Sequence, residues 1–405
     1  MKKAMMLACV LLISTLALAK GGLPRMSPER AGLSVMQMTR ADSALNDAIK
    51  RGEIPGAVLG IVRKGHMAYL KAYGNRQVYP TVERMTTSTM FDMASCSKAM
   101  STAICVMQLC ENGLLRLTDP VAEYIPGFQS WTGANGQTET IRIKHLLTHT
   151  SGLPAYAPVS TLAKKYGSPN PKGLLEHICQ VKRDFCPGTN FQYSCLNYIT
   201  LQHVVQNITG MSLREYAQTC IFKPLGMTHT DYLPLGEYLT RWGDLIAPTT
   251  RQTDGSVLRG QVHDPLARVM NAGVSGNAGV FSTADDIGIL CAALQNGGLW
   301  KRTRILSEES VLTMRTVPQW CQSIGRTYGW DVSSPYASCN GELLSPQTYG
   351  HTGYTGTSIV IDPVNDVSII LLVNAVHPDD GKSRMVRLRA LISNIVASAL
   401  TDKVR

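Results

Sequence analysis

Two short apolar runs near the start of the chain, residues 57–63 (Ala-Val-Leu-Gly-Ile-Val-Arg) and 67–73 (Met-Ala-Tyr-Leu-Lys-Ala-Tyr), are separated by Lys64-Gly65-His66. Brief apolar segments around a polar, glycine-containing break predict a β-hairpin. Near the other end, Thr357 to Asp362 and Val367 to Asn374 flank Pro363-Val364-Asn365-Asp366 and predict a second hairpin. Between them the period changes. Segments 97–112, 197–208 and 212–221 carry apolar residues at helical spacing, with Gly113, Gly210 and Gly226 near their ends. The stretch 384–400 also reads as an amphipathic helix. The pattern implies an α/β fold. Residues 20–91 and 246–405 form one α/β domain, into which a mainly helical domain, 92–245, is inserted. No internal repeat is visible.

The first nineteen residues follow a different rule. Lys2 and Lys3 precede an apolar run from Ala4 that closes on Ala17-Leu18-Ala19, the small-x-small pattern of a cleavable export signal. The mature chain is expected to begin near Lys20 and to be periplasmic or secreted. Cys9 raises a lipoprotein reading, but the apolar run continues past it. No later run approaches the roughly 20 apolar residues that span a bilayer, so no stable membrane span is expected.

Composition narrows the classes further. Apolar residues make up 44% of the chain, enough for a large core. The formal charge is +10, which favours solubility and would also attract an anionic polymer such as a cell wall. No block of five like charges and no aromatic-basic array supports nucleic-acid binding. Of eleven cysteines, all but Cys9 would lie in the exported chain. A mixture of buried free thiols and one or two disulfides is expected there.

Candidate chemistry starts at Ser95-Cys96-Ser97-Lys98, the chain's one S-x-x-K tetrapeptide. On a helix, one turn separates Ser95 from Lys98 and brings hydroxyl and amine to one face. A serine hydroxyl needs a neighbouring base, and a lysine serves if burial or charge lowers its pKa from about 10.4. Alone the tetrapeptide is weak, since roughly one is expected by chance in a chain this long. Two further elements add to it. Pro187-Gly188-Thr189-Asn190-Phe191-Gln192-Tyr193-Ser194-Cys195 puts a tyrosine on a loop before a helix, and Gly350-His351-Thr352-Gly353 opens a strand-like run.

That order of motifs resembles the serine beta-lactamase and penicillin-binding-protein family, class C beta-lactamases and related DD-peptidases and esterases in particular. Also similar are Ile54-Pro55-Gly56-Ala57, the segment His145 to Leu153, Phe281-Ser282-Thr283-Ala284, Tyr328-Gly329-Trp330 and the run on to Gly356. Val262-His263-Asp264-Pro265 resembles the branch of penicillin-binding protein 4B and cell-wall amidases. The resemblance implies an antiparallel sheet flanked by helices, with an inserted mainly helical domain. It implies Ser95 as the acylated nucleophile, Lys98 as base and Tyr193 as proton relay to the leaving group. The backbone N–H groups of Ser95 and Tyr354 would hold the oxyanion. His351 and Thr352 would hydrogen-bond substrate beside Gly353, and Cys195 would occupy the acyl-recognition position. No cofactor or metal is implied, and the partners would be peptidoglycan fragments or beta-lactam-like small molecules.

Two positions depart from the pattern. Cys195 stands where the family carries Asn or Asp, and a thiol is a poor substitute for an amide or carboxyl group. Asn277 stands where the nearer branch carries His. His145 and His149 lie four apart, but no Glu follows His145 as in H-E-x-x-H, so zinc is disfavoured. Cys96 and Cys195 beside the candidate catalytic residues admit a redox reading, with plain burial as the simpler one. The sequence thus points to a DD-carboxypeptidase or muropeptide amidase, with beta-lactamase or esterase activity open by the same mechanism. A non-catalytic penicillin-binding protein is the rival outside enzymes. The absence of G-x-S-x-G argues against an α/β-hydrolase.

Overall fold

The structure is a computed structural model that describes residues 22–236, 242–381 and 384–402. The expected leader, 1–19, and Cys9 lie outside the described residues.

Helix α1 (Val35–Lys50) begins at Ser34, whose hydroxyl accepts the Gln37 N–H at 3.3 Å. Strand β1 (Gly56–Arg63) follows and is buried along its whole length. Its residues alternate between two cores, as a period of two requires. Val58 and Val62 join the larger core, whereas Ala57, Leu59 and Ile61 join the smaller. The first expected hairpin is present: β2 (His66–Gln77) returns antiparallel to β1. Its turn places Lys64 and Gly65 at φ 52° and 69°, the left-handed pair that tight hairpins favour. Strand β3 (Glu83–Arg84) extends the edge.

Strand β4 (Phe91–Asp92) leads into the Ser95 turn, and helix α2 (Ala103–Glu111) lies beyond it. The segment expected as one helix over 97–112 opens instead with a π turn, Lys98–Thr102, in which the Ala103 N–H reaches the Lys98 carbonyl. Helix α3 (Cys195–Thr209) ends at Gly210 with φ 71°, as its position predicted. The expected helix over 212–221 is a helix, Leu213–Ala217, followed by a second π turn, Gln218–Phe222.

Strands β5 (Asp231–Tyr232) and β6 (Val280–Ser282) precede helix α4 (Ala284–Gln295). Then come β7 (Tyr349–Thr352), β8 (Ser358–Asp362) and β9 (Val367–Leu372), and helix α5 (Met385–Ala399). The second expected hairpin is β8–β9. The Asp362 carboxylate accepts the N–H groups of Val364 and Asn365 across its turn.

The large sheet is antiparallel in the order β7-β8-β9-β1-β2-β3. Val58 lies between Leu372 of β9 and Ala72 of β2, so strands far apart in sequence meet at its centre. Helix α4 packs against β1 and β9, while α1 and α5 pack against each other in the smaller core. A second sheet, β4-β6-β5, anchors the entry to Ser95: Phe91 pairs with Ser282 and Asp92 with Phe281.

The ten cysteines from Cys96 to Cys339 are all free, which corrects the expectation of one or two disulfides. Cys96, Cys105 and Cys291 pack in the large core as small apolar side chains. No helix of the described residues is long and apolar enough to cross a membrane.

Candidate active site

Ser95 sits on a turn held from both sides. Ala94 adopts φ 45°, a left-handed conformation that a non-glycine residue enters at a cost. The buried Asp92 carboxylate accepts the Ala94 N–H at 2.8 Å and the His263 N–H at 2.6 Å. Burial nonetheless pushes Asp92 up to about 6. Across the turn, the Thr355 hydroxyl donates to the Asp92 carbonyl at 2.8 Å and the Thr357 hydroxyl to the Met93 carbonyl at 3.1 Å. The turn between Thr352 and Ser358 therefore rests directly on the serine turn. Gly353 makes this approach possible, since a Cβ there would lie 2.2 Å from Thr357 Oγ1 and 2.7 Å from the Met93 carbonyl oxygen.

Ser95 is partly exposed, whereas Lys98 is buried. Lys98 Nζ lies 2.9 Å from Ser95 Oγ, 2.8 Å from the Asn277 carbonyl oxygen and 3.8 Å from Cys195 Sγ. It also stands 5.0 Å from the Tyr193 ring centroid. Burial is the largest influence on Lys98 and works against its charge. The negative charge that Cys195 and Tyr193 carry when ionised outweighs it and raises the lysine's pKa. The lowering that would favour a free amine is thus supplied by burial and opposed by Cys195 and Tyr193. Burial raises Tyr193 and Cys195 in turn, the Lys98 charge opposing it in both.

Tyr193 is fixed by stacking. Its ring lies between His149, at 4.3 Å and 28°, and Tyr336, at 4.8 Å and 22°. His149 in turn accepts the Ser194 N–H on Nδ1 at 3.1 Å, tying the ring to the backbone beside Tyr193. His145 accepts the Arg142 N–H on Nδ1 at 3.2 Å. Both histidines of the H-x-x-x-H spacing are thus engaged with backbone.

His351 is buried, with ring centroid 6.2 Å from that of Tyr193. Its Nδ1 is 2.9 Å from the Thr352 carbonyl oxygen and its Nε2 is 3.1 Å from Arg326 Nη2. Arg326 can only donate, so Nε2 accepts and Nδ1 carries the proton. Burial, then the Arg326 and Lys98 charges, hold this histidine well below its ordinary pKa. Arg326 is itself buried and paired with Asp331. Both ring nitrogens of His351 thus have partners inside the protein. Thr352 at the end of β7 is half-buried, and the Tyr354 side chain points outward, 68% exposed, with its hydroxyl 2.6 Å from Asp380. Among the described residues, neither the Ser95 nor the Tyr354 backbone N–H has a protein acceptor.

The sequence model of the beta-lactamase family matches residues 41–393. The chain belongs to the beta-lactamase family. A relative from Escherichia coli (strain K12), named "Putative D-alanyl-D-alanine carboxypeptidase", is 34% identical over 93% of this chain and 92% of its own length. A similarly named Salmonella schwarzengrund protein is 33% identical over the same shares. Among solved structures, EstCE1, described as a hydrolase with promiscuous acyltransferase activity, superposes with a TM-score of 0.72 at 23% identity, covering 89% of this chain and 98% of EstCE1. The octameric penicillin-binding protein homologue from Pyrococcus abyssi gives 0.66 at 21% identity, over 88% and 77%. These two likenesses speak to fold. Membership of the beta-lactamase family makes the chain a serine hydrolase of the beta-lactamase and DD-peptidase type.

Within this beta-lactamase-family site, the motifs located Ser95, Lys98, Tyr193, Cys195 and the 351–354 turn, which the fold brings together around Lys98 and Tyr193. They did not reveal Tyr336, Arg326 or Asp331, although the last two flank the Tyr328-Gly329-Trp330 motif and are bridged across it. The His149 role was visible only as membership of a similar segment. Asn277 contributes its carbonyl, which any residue would supply, so its departure from His leaves the Lys98 contact intact.

Proposed function

We propose that this protein is an exported acyl-serine hydrolase acting on peptidoglycan-derived peptides, as a D-alanyl-D-alanine carboxypeptidase. The observation that carries the proposal is the 2.9 Å contact of Lys98 Nζ with a partly exposed Ser95 Oγ. The name of the Escherichia coli relative supports the substrate class.

In this reading Ser95 Oγ attacks the carbonyl carbon of the scissile amide and releases its proton to Lys98 and Tyr193 acting together. Lys98 accepts it as the free amine, with the Asn277 carbonyl and the Cys195 sulfur on its other sides. The tetrahedral oxygen is met by the Ser95 and Tyr354 N–H groups. Tyr193 hands the proton to the departing amine, leaving an ester on Ser95 that water hydrolyses by the reverse route. The same reading takes residues 1–19 as an export leader, makes the protein periplasmic or secreted, and treats 92–245 as a mainly helical insertion. Its partners are peptidoglycan fragments or beta-lactam-like molecules.

A second reading, hydrolysis of amides or esters whose leaving group carries no carboxylate, is favoured by the neutral, fully engaged His351. One experiment separates these outcomes. A labelled penicillin or a fluorophosphonate is expected to add to Ser95, located by peptide mapping, and to be absent from Ser95→Ala. A turnover panel of D-Ala-D-Ala peptide, muropeptide amide, cephalosporin and short ester then ranks the substrates. An adduct on Ser97, or none with either reagent, refutes the serine assignment.

A further inference from the structure

The Val262-His263-Asp264-Pro265 segment has no part in the chemistry above, yet it packs beside the Ser95 turn. His263 is tied to the Ser95 turn through Asp92, and its ring stacks on Tyr354 at 5.7 Å and 20°. On the other side, the Cys195 N–H donates to the Ala155 carbonyl at 2.9 Å, and the next residue, Tyr156, places its hydroxyl 3.1 Å from Asp264 Oδ2. Asp264 thus stands between the Tyr354 turn and the Cys195 flank. It is half-exposed, and Tyr156 beside it is 38% exposed.

The carboxylate is only partly used. Oδ1 accepts the Ala267 N–H at 2.8 Å and Oδ2 the tyrosine hydroxyl, leaving two of about four lone-pair directions. Arg268, one turn on, directs Nη1 to the Val262 and His263 carbonyls at 2.7 and 2.6 Å. The Arg268 charge acts on Asp264 through space, but Arg268 Nη1 is spent on those carbonyls. The negative charge of Asp264 acts on both Lys98 and Cys195, which it would do only from within the cleft's reach. A partly desolvated carboxylate with open acceptor positions, beside an exposed aromatic ring, suits an ammonium group.

We propose that Asp264, with Tyr156, recognises a protonated primary amine on the acyl part of the substrate. The inference rests on the acyl-serine reading for its orientation, because the Cys195 flank is the acyl side there. It narrows the substrate to acyl groups bearing a free amine.

The test uses Nα-acetyl-Lys-D-Ala-D-Ala, with its free ε-amine, and the Nα,Nε-diacetyl peptide. Their binding to the Ser95→Ala protein is measured by calorimetry, which needs no turnover. The free-amine peptide is expected to bind about two- to fivefold tighter at low salt, the range for a partly exposed ion pair. That preference should shrink as salt rises. Asp264→Asn, which keeps shape and one acceptor oxygen, should bring the ratio close to one while the melting temperature reports an intact fold. Equal affinities, no binding of either peptide, or a preference that survives Asp264→Asn each overturns the inference. If wild type cleaves neither peptide yet the Asp264-dependent preference is present, the carboxypeptidase reading fails and the amine site stands.

Discussion

The two flanks of the cleft are built on opposite plans. On the β7 flank the charged and ring groups are engaged with one another: His351 with Arg326 and the Thr352 carbonyl, and Arg326 with Asp331. Below it, buried Arg389 donates to the Gly353 and Thr357 carbonyls at 2.7 and 2.9 Å. On the opposite flank Cys195, Tyr156 and Asp264 are partly exposed and retain unused capacity. A site that must hold backbone N–H groups in one position gains from a preorganised wall. A site that must tell substrates apart needs groups still free to bind. One flank is thus suited to holding the reacting groups in place and the other to contacting substrate.

Breaking the β7 flank should give the largest effect. Arg326→Met leaves Asp331 buried without its partner and removes the donor to His351 Nε2, so a loss of about 3–5 kcal/mol in unfolding free energy is expected. Arg326→Met with Asp331→Asn should recover much of it in denaturant melts. Equal losses in the single and double variants would show that the pair's charges are not what matters.

The centre of the comparison is sharpened by pH. Because the Lys98 pKa lies above its ordinary value, the free amine is the minor form throughout the neutral range. Raising the pH increases that fraction, so kcat/KM should rise about tenfold per unit from pH 6 to 8. A profile already level across this range would place the controlling ionisation lower, with burial outweighing the neighbouring charges on the lysine.

The open flank should answer most gently. Cys195→Asn restores an amide where a weak thiol stands, a change on the order of 1 kcal/mol for one hydrogen bond. A gain of about fivefold in kcat/KM for cephalosporins, relative to simple esters lacking an acyl-side amide, is expected. The same change for both substrate classes would remove Cys195 from amide recognition.

Much of this was legible along the chain because it is local. Both hairpins follow from alternation and turn residues, and α3 ends at Gly210 because glycine readily takes its left-handed conformation. Ser95 and Lys98 could be paired because one helical turn fixes their proximity. Disulfides could not be judged from cysteine number, since pairing depends on three-dimensional separation and most of these thiols are simply core side chains.

What the sequence by itself determined was the element types, the pairing of Ser95 with Lys98 and the motifs that belong together. Each depends on periodicity or on residues a few positions apart. Only the tertiary structure decided the state of those groups. The Lys98 pKa depends on Cys195 and Tyr193, about a hundred residues away, and the neutrality of His351 depends on burial and on Arg326. The freedom of Asp264 depends on what its neighbours from other segments leave unused. Desolvation and charge act through space, and no pattern along the chain records which distant groups will come within their range.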